Sequence, residues 1–332
     1  MRIIPIFHQP QFARKIWNCA GRNASRLSAA SMKPLHTEIL RALLYYDIFH
    51  HPLTTFELFS FLPMNSMTFE EFTENIKAHG PGSDVHADGD YYFVRGKSAA
   101  IVTHRGTKER HARKMWKRAR LSMHVIKRFP FVRGVFVSGD LSKNATNKNS
   151  DVDFFILTEP NHLWITRTLL ILFKKFFLLN SKKYFCLNYF ATTDHLALGD
   201  QNIFLATEVA HLKPLYNSEL FFSYIEANKW ILGYFPNLEV QRLAPRQISN
   251  RRSMLQRLLE IPFSLVDADT LDSFLMRKMK EVWKRRYPEY DEATRERLFR
   301  CTKYESRAYV GNFEEKILAL YHEKLREFGI AN

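Results

Sequence analysis

VSGDLSKNATNKNSDVDFFIL, residues 137–157, holds a Ser-Gly pair, a polar loop, and two aspartates one residue apart at the head of an apolar run. Upstream, VRGVFVSG reads as a short apolar strand. The loop runs over residues 140–150, and DVDFFIL reads as a second strand. Side chains alternate along a strand, so Asp151 and Asp153 are expected on one face. Two carboxylates so placed repel each other unless a cation lies between them. Hard oxygen ligands suit Mg²⁺ (or Mn²⁺), and Mg²⁺ is commonly held by one or two carboxylates together with substrate phosphates. Gly139 leaves backbone N–H groups open to a phosphate. The pattern therefore predicts a metal-assisted nucleoside triphosphate site.

Working outward, RFPFVRGVFVSG precedes this stretch, and LTEPNHLWITRTLLILF and CLNYFATTDHLALGDQNIFLATEVAHLKPLYN follow it. The arrangement of strand, Ser-Gly, polar loop, Ser-Asp-x-Asp, strand and helix resembles the nucleotidyltransferase superfamily that includes DNA polymerase beta. The flanks are similar to bacterial nucleotidyltransferase-domain proteins, some of which carry an N-terminal helical module. The resemblance implies an α+β fold with a mixed sheet and flanking helices. It implies that Ser138, Gly139, Asp140 and Ser150 form the nucleotide-binding turn and that Asp151 and Asp153 hold metal. The activity it implies moves a nucleoside monophosphate from a triphosphate to a hydroxyl. The acceptor, whether nucleic acid, protein or small molecule, stays open.

Two positions depart from that pattern. Asp140 stands where the superfamily usually has Ser. A carboxylate about 4 Å from a phosphate, at an effective dielectric of about 20, costs roughly 4 kcal/mol unless it turns away or a metal intervenes. The third carboxylate of active members is expected on the strand KYFCLNYFA, residues 183–191, where the central polar residue is Asn188. An amide can ligate but cannot act as a base. Glu208, on the helical stretch FLATEVAHL, is the best spare carboxylate; a surface or core-capping acid is the other reading. Asp194 and Asp200 read as loop residues. Two functions stay open: a transferase, or a catalytically degenerate relative that binds a nucleotide or nucleic acid.

The remaining sequence sets bounds. A chain of 332 residues has room for about two domains. Its net charge of +15 suits an anionic partner. Three scattered cysteines exclude a disulfide framework and a zinc spacing, and fit a reducing cytoplasm. The greasy stretch LWITRTLLILFKKFFLL, residues 163–179, is interrupted by Arg167, Lys174 and Lys175, which argues against a spanning helix. It reads as a buried amphipathic helix, with a membrane-surface role as the alternative because its lysines sit among aromatics.

Residues 1–35, with no acid before Pro34, read as a basic, disordered leader similar to a transit peptide; Met32 offers an internal start as the alternative. Residues 36–102 read as three helices and a hairpin turning at Asp88-Gly89, a winged-helix-like module. Its second and third helices are poor in Lys and Arg, which favours an adaptor over a nucleic-acid reader. His50 and His51 read as turn residues. Residues 103–130 read as a basic linking helix, with Ala112, Met115, Trp116, Ala119, Met123 and Ile126 inward and Arg105 and Lys108 among the outward charges. Residues 131–215 are, on the resemblance, the expected nucleotidyltransferase core. Residues 216–332 read as a helical C-terminal region, closing with an amphipathic helix that ends at Gly329.

Overall fold

The computed structural model describes residues 29–181, 183–244, 248–307 and 311–331. It is a mixed α+β structure with two sheets. The leader expectation falls largely outside the described residues. Residues 29–35 are the first turns of a helix, α1 (Ala29–Asp47), so the helical pattern begins earlier than its apolar stripe suggests.

The first module continues with β1 (Leu53–Thr54), α2 (Thr55–Ser60), α3 (Phe69–His79), β2 (Val85–Asp88) and β3 (Tyr91–Val94). Thr54 and Thr68 each start their helix with a capping box, exchanging hydrogen bonds with Glu57 and Glu71 respectively. The expected hairpin is present but turns at Gly89-Asp90, one residue later than read, because Asp88 still pairs with Tyr91; its strands complete an antiparallel sheet in the order β1-β3-β2.

α4 (Ala100–Ile126) leads into the second sheet. Its predicted stripe is buried at Ala112, Met115, Ala119, Met123 and Ile126. Arg105 corrects the expectation that it lies among the outward charges. It is buried and donates to both carboxylate oxygens of Glu57, at 2.6 and 2.7 Å, fastening α4 to α2.

The five-stranded sheet contains β4 (Val132–Ser138), β5 (Asp153–Thr158), β6 (Cys186–Thr192), β7 (Lys213–Tyr216) and β8 (Glu305–Arg307), in the order β7-β4-β5-β6-β8. Only the β5–β6 pair is parallel, and α6 (Leu163–Phe177) makes that crossover. A short helix, α5 (Gly139–Ser142), follows β4, and α7 (Ile203–His211) precedes β7. The C-terminal region comprises α8 (Ser218–Ala227), α9 (Val240–Leu243), α10 (Met254–Glu260), α11 (Ala268–Arg286), α12 (Glu292–Leu298) and α13 (Phe313–Glu327). It is not purely helical, because it supplies edge strand β8 to the central sheet.

Alternation along β4 and β5 sends Val135, Val137, Phe154 and Ile156 to one face, where α4 and α6 cover them and α11 packs behind. Phe136, Phe155 and Leu157 point to the other face, into a core shared with α1, α7, α8 and α13. α13 buries Ile317, Tyr321 and Leu325 and half-buries Leu318, the four residues that make its sequence amphipathic. α6 fits its expectation only in its first half, which is buried; Phe176 and Phe177 at its end are exposed.

Candidate active site

Ser138 ends β4, Asp153 begins β5, and the two are direct partners across the antiparallel ladder. Residues opposed in this way project from the same face. Both therefore stand at the end of the sheet face that carries Phe136 and Phe155. Gly139 makes the turn between them with φ +65°, and a Cβ there would collide with Asp153 Oδ2. Glycine is required twice over, for its backbone angle and for the closeness of that carboxylate.

The loop after the turn is tied to itself. Asp140 Oδ2 accepts from Ser150 Oγ at 2.8 Å, Ser150 Oγ accepts from the Asn147 amide at 3.0 Å, and the Ala145 amide donates to the Asp140 carbonyl at 2.8 Å. One oxygen of Asp140 is thereby engaged within its own loop. Ser150 acts as the pin of this loop. Ser138 Oγ is buried and has no hydrogen-bond partner, so a cleft wall carries an unused donor and acceptor.

These residues open on a cleft of about 410 Å³. Asn188 reaches it from β6 at a bulge: Leu187 pairs with Phe154 and Tyr189 with Phe155, leaving Asn188 as the extra residue. The bulge lets two consecutive side chains, Asn188 and Tyr189, line the same cleft. Glu208 enters from α7, which Asn202 caps through its side chain, and one Glu208 oxygen lies 2.5 Å from Lys143 Nζ. Asp151 differs from expectation. β5 begins only at Asp153, and Asp151 is half-buried in the preceding segment and is not a lining residue.

Sequence reasoning did not find several lining groups. Tyr45, Tyr46 and His51 come from the first module, Lys108 from α4, and Arg307 from β8. Lys143 lies within the opening stretch, four residues beyond Gly139, and its proximity to the turn was a usable signal. Arg307 carried none, since a three-residue strand has no readable period.

Burial pushes Asp153 up to about 6; a hydrogen bond with Cys186 opposes this, and the charges of Asp151, Asp140 and Glu208 add to it. Cys186 is pushed up to about 12 by burial and by Asp153. His51 is held down at about 3 by burial and then by Arg105. Among the described residues, no three His, Cys, Asp or Glu side chains gather closely enough to hold an ion unaided. The donor set still fits a divalent cation that arrives with a phosphate. Asp153 is destabilised as an anion first by burial and then by three other carboxylates, and Mg²⁺ needs one or two carboxylates when the substrate supplies the rest. Compared with protein-family models, with curated proteins and with solved structures, the chain matches none.

Proposed function

We propose that the chain is a Mg²⁺- or Mn²⁺-dependent nucleotidyltransferase acting in the cleft between the β4–β5 turn and α7. The observation that carries this reading is the facing of Ser138, Gly139 and Asp153, with a buried hydroxyl unused and a carboxylate disfavoured as an anion by burial first and by its acidic neighbours second. Asp153 would hold the ion, with Asp151 adding charge from just outside the strand. Bound there with a triphosphate, the ion supplies charge neutralisation for the transferring phosphoryl group. Ser138 Oγ and the backbone at Gly139 bind phosphate oxygens, and Lys108 and Lys143 balance their charge. The acceptor hydroxyl attacks the α-phosphorus, pyrophosphate leaves, and Glu208 takes the hydroxyl proton once Lys143 has turned to the phosphates. The first module, winged-helix-like in element order, lends a wall to the cleft and serves as an adaptor. α3 carries Glu70, Glu71 and Glu74, which suits it poorly to a phosphate backbone.

A second reading rests on specific observations: Glu208 is held by Lys143, and Asn188 stands where a third carboxylate is expected. On that reading the cleft binds a nucleotide without transferring it. Calorimetric titration of each nucleoside triphosphate with Mg²⁺ or Mn²⁺ tests the shared site. Asp153→Asn should abolish metal-dependent binding, and Asp151→Asn should weaken it by about tenfold or less, since Asp151 acts only through its charge. Unchanged affinity in Asp153→Asn would remove the metal site. Pyrophosphate release from the bound triphosphate then separates transfer from binding alone.

A further inference from the structure

Residues 110–139, 160–193 and 240–259 contain no Asp or Glu, and the fold brings these three stretches together. The Phe129 and Phe173 rings lie 5.4 Å apart, and Phe173 stacks on Phe177 at 5.0 Å. Gln256 Nε2 donates to the Phe129 carbonyl at 3.0 Å, and Phe131 meets Phe263 edge-on. The junction lies at the Val132 end of β4, about 20 Å of strand away from Ser138 at the cleft.

α10 sits there with its usual polarity reversed. A surface helix normally buries its apolar stripe. α10 instead buries Gln256 and turns Glu260 inward onto the Phe131 amide and Arg133, while Met254 is 80% exposed and Leu255, Leu258 and Leu259 are also exposed. The 3₁₀ turn after it adds Ile261 and Leu265, the latter 87% exposed. The end of α6 contributes Phe176 and Phe177, and Leu179 follows at 91% exposed. Arg128, Lys175, Arg251 and Arg257 are exposed too, each in or beside one of these same segments of chain.

We infer that this face docks on an anionic lipid bilayer. Apolar side chains framed by basic ones are what an interfacial segment requires, the former entering the headgroup boundary and the latter meeting anionic headgroups. No helix among the described residues is long and apolar enough to cross a membrane, so the contact is with the surface alone. A second copy would set one predominantly basic surface against another within chains of net charge +15; Glu260 is taken up by Arg133 and the Phe131 amide, and Asp267 and Asp269 lie beyond Leu265 at its margin. Nucleic acid would use the basic rim but leave Met254, Leu258, Ile261 and Leu265 without a role, since aliphatic side chains do not stack on bases. The inference does not depend on the activity proposed for the cleft, which lies at the other end of β4.

The test is sedimentation of the full chain with vesicles. One set is phosphatidylcholine with about one-third phosphatidylserine, and the other is phosphatidylcholine alone. The chain should sediment with the anionic vesicles, hardly with the neutral ones, and be released as salt shortens the Debye length. Leu258→Ser/Leu265→Ser changes two exposed positions and should keep the wild-type melting temperature while lowering partitioning by about tenfold or more. No sedimentation of the folded wild-type chain, or equal sedimentation of the variant, overturns the inference. A dimer in sedimentation velocity that the same variant dissolves would assign the face to a second copy and overturn it too. Vesicle binding lost only in Arg251→Ser/Arg257→Ser, with the leucine variant unaffected, would reduce the face to a non-specific polyanion surface.

Discussion

At the scale of single residues, the candidate site turns on the closeness of Gly139 to Asp153. Gly139→Ala puts a methyl group against the Asp153 carboxylate at a backbone angle that alanine resists. We expect a loss of about 1–3 kcal/mol of stability in urea unfolding and the disappearance of metal-dependent triphosphate binding. Retained binding at wild-type affinity would show that the carboxylate need not face the turn. Ser138, Gly139 and Asp153 were legible in the sequence because a turn glycine and a strand-end acid leave local marks. Glu208 was legible as a spare acid on a helix, although not as the partner of Lys143. Asp151 was read from alternation counted through Val152, and β5 begins only after both, at Asp153. Arg307 and Tyr45 reach the cleft from opposite ends of the chain, and nothing local to either residue encodes that meeting.

Among elements, α4 shows how a charge pattern can mislead. Its apolar stripe fixed the buried face correctly, yet Arg105 lies inside, gripping Glu57 of α2 and donating also to Glu109 and to the Pro52 carbonyl. Burial alone would raise Glu57, but the hydrogen bonds and charge of Arg105 hold it down at about 2. Glu57 keeps about a third of its side-chain exposure, and solvent there screens the pair, so Glu57→Gln should cost about 2 kcal/mol in urea unfolding, less than breaking a fully buried pair. Glu57→Met/Arg105→Met should cost less than the sum of the two single changes, because it removes both charges rather than stranding one. Additive losses would mean that the pair contributes nothing beyond its packing. Strand β8 and the Asn188 bulge were illegible for a different reason. Both are set by neighbouring strands, and neither a three-residue strand nor a one-residue insertion alters a period.

Across the whole molecule, the seam between the first module and the central sheet is built of aromatic rings and two neutral imidazoles. His51 follows α1, His211 ends α7, and Tyr46 lies within 6.1 and 6.0 Å of their respective ring centroids. His211 also stacks on Phe61 of the module at 4.8 Å and lies 2.9 Å from the Thr207 carbonyl oxygen through Nδ1. Burial first, then the charge of Lys143, holds His211 down at about 3, against an ordinary value of 6.5. Lys213 and His51 act in the same direction. Below pH 6.5 the unfolded chain therefore takes up a proton at His211 that the folded chain refuses until about pH 3. Stability from this group is full above pH 6.5 and is lost as the pH falls. Asp153 and Asp272, both raised to about 6 from 3.8, run the other way. Between about pH 3.8 and 6 the folded chain holds protons there that the unfolded chain has released, which flattens the wild-type curve. His211→Phe keeps the stack on Phe61 and removes one term alone. Relative to wild type, its unfolding free energy should shift in the variant's favour by about 1 kcal/mol per pH unit between pH 6 and 4, read by urea titration. A gap that stays constant over that range would mean that His211 charges within the folded chain. The neutral seam would then not be what ties the first module to the cleft.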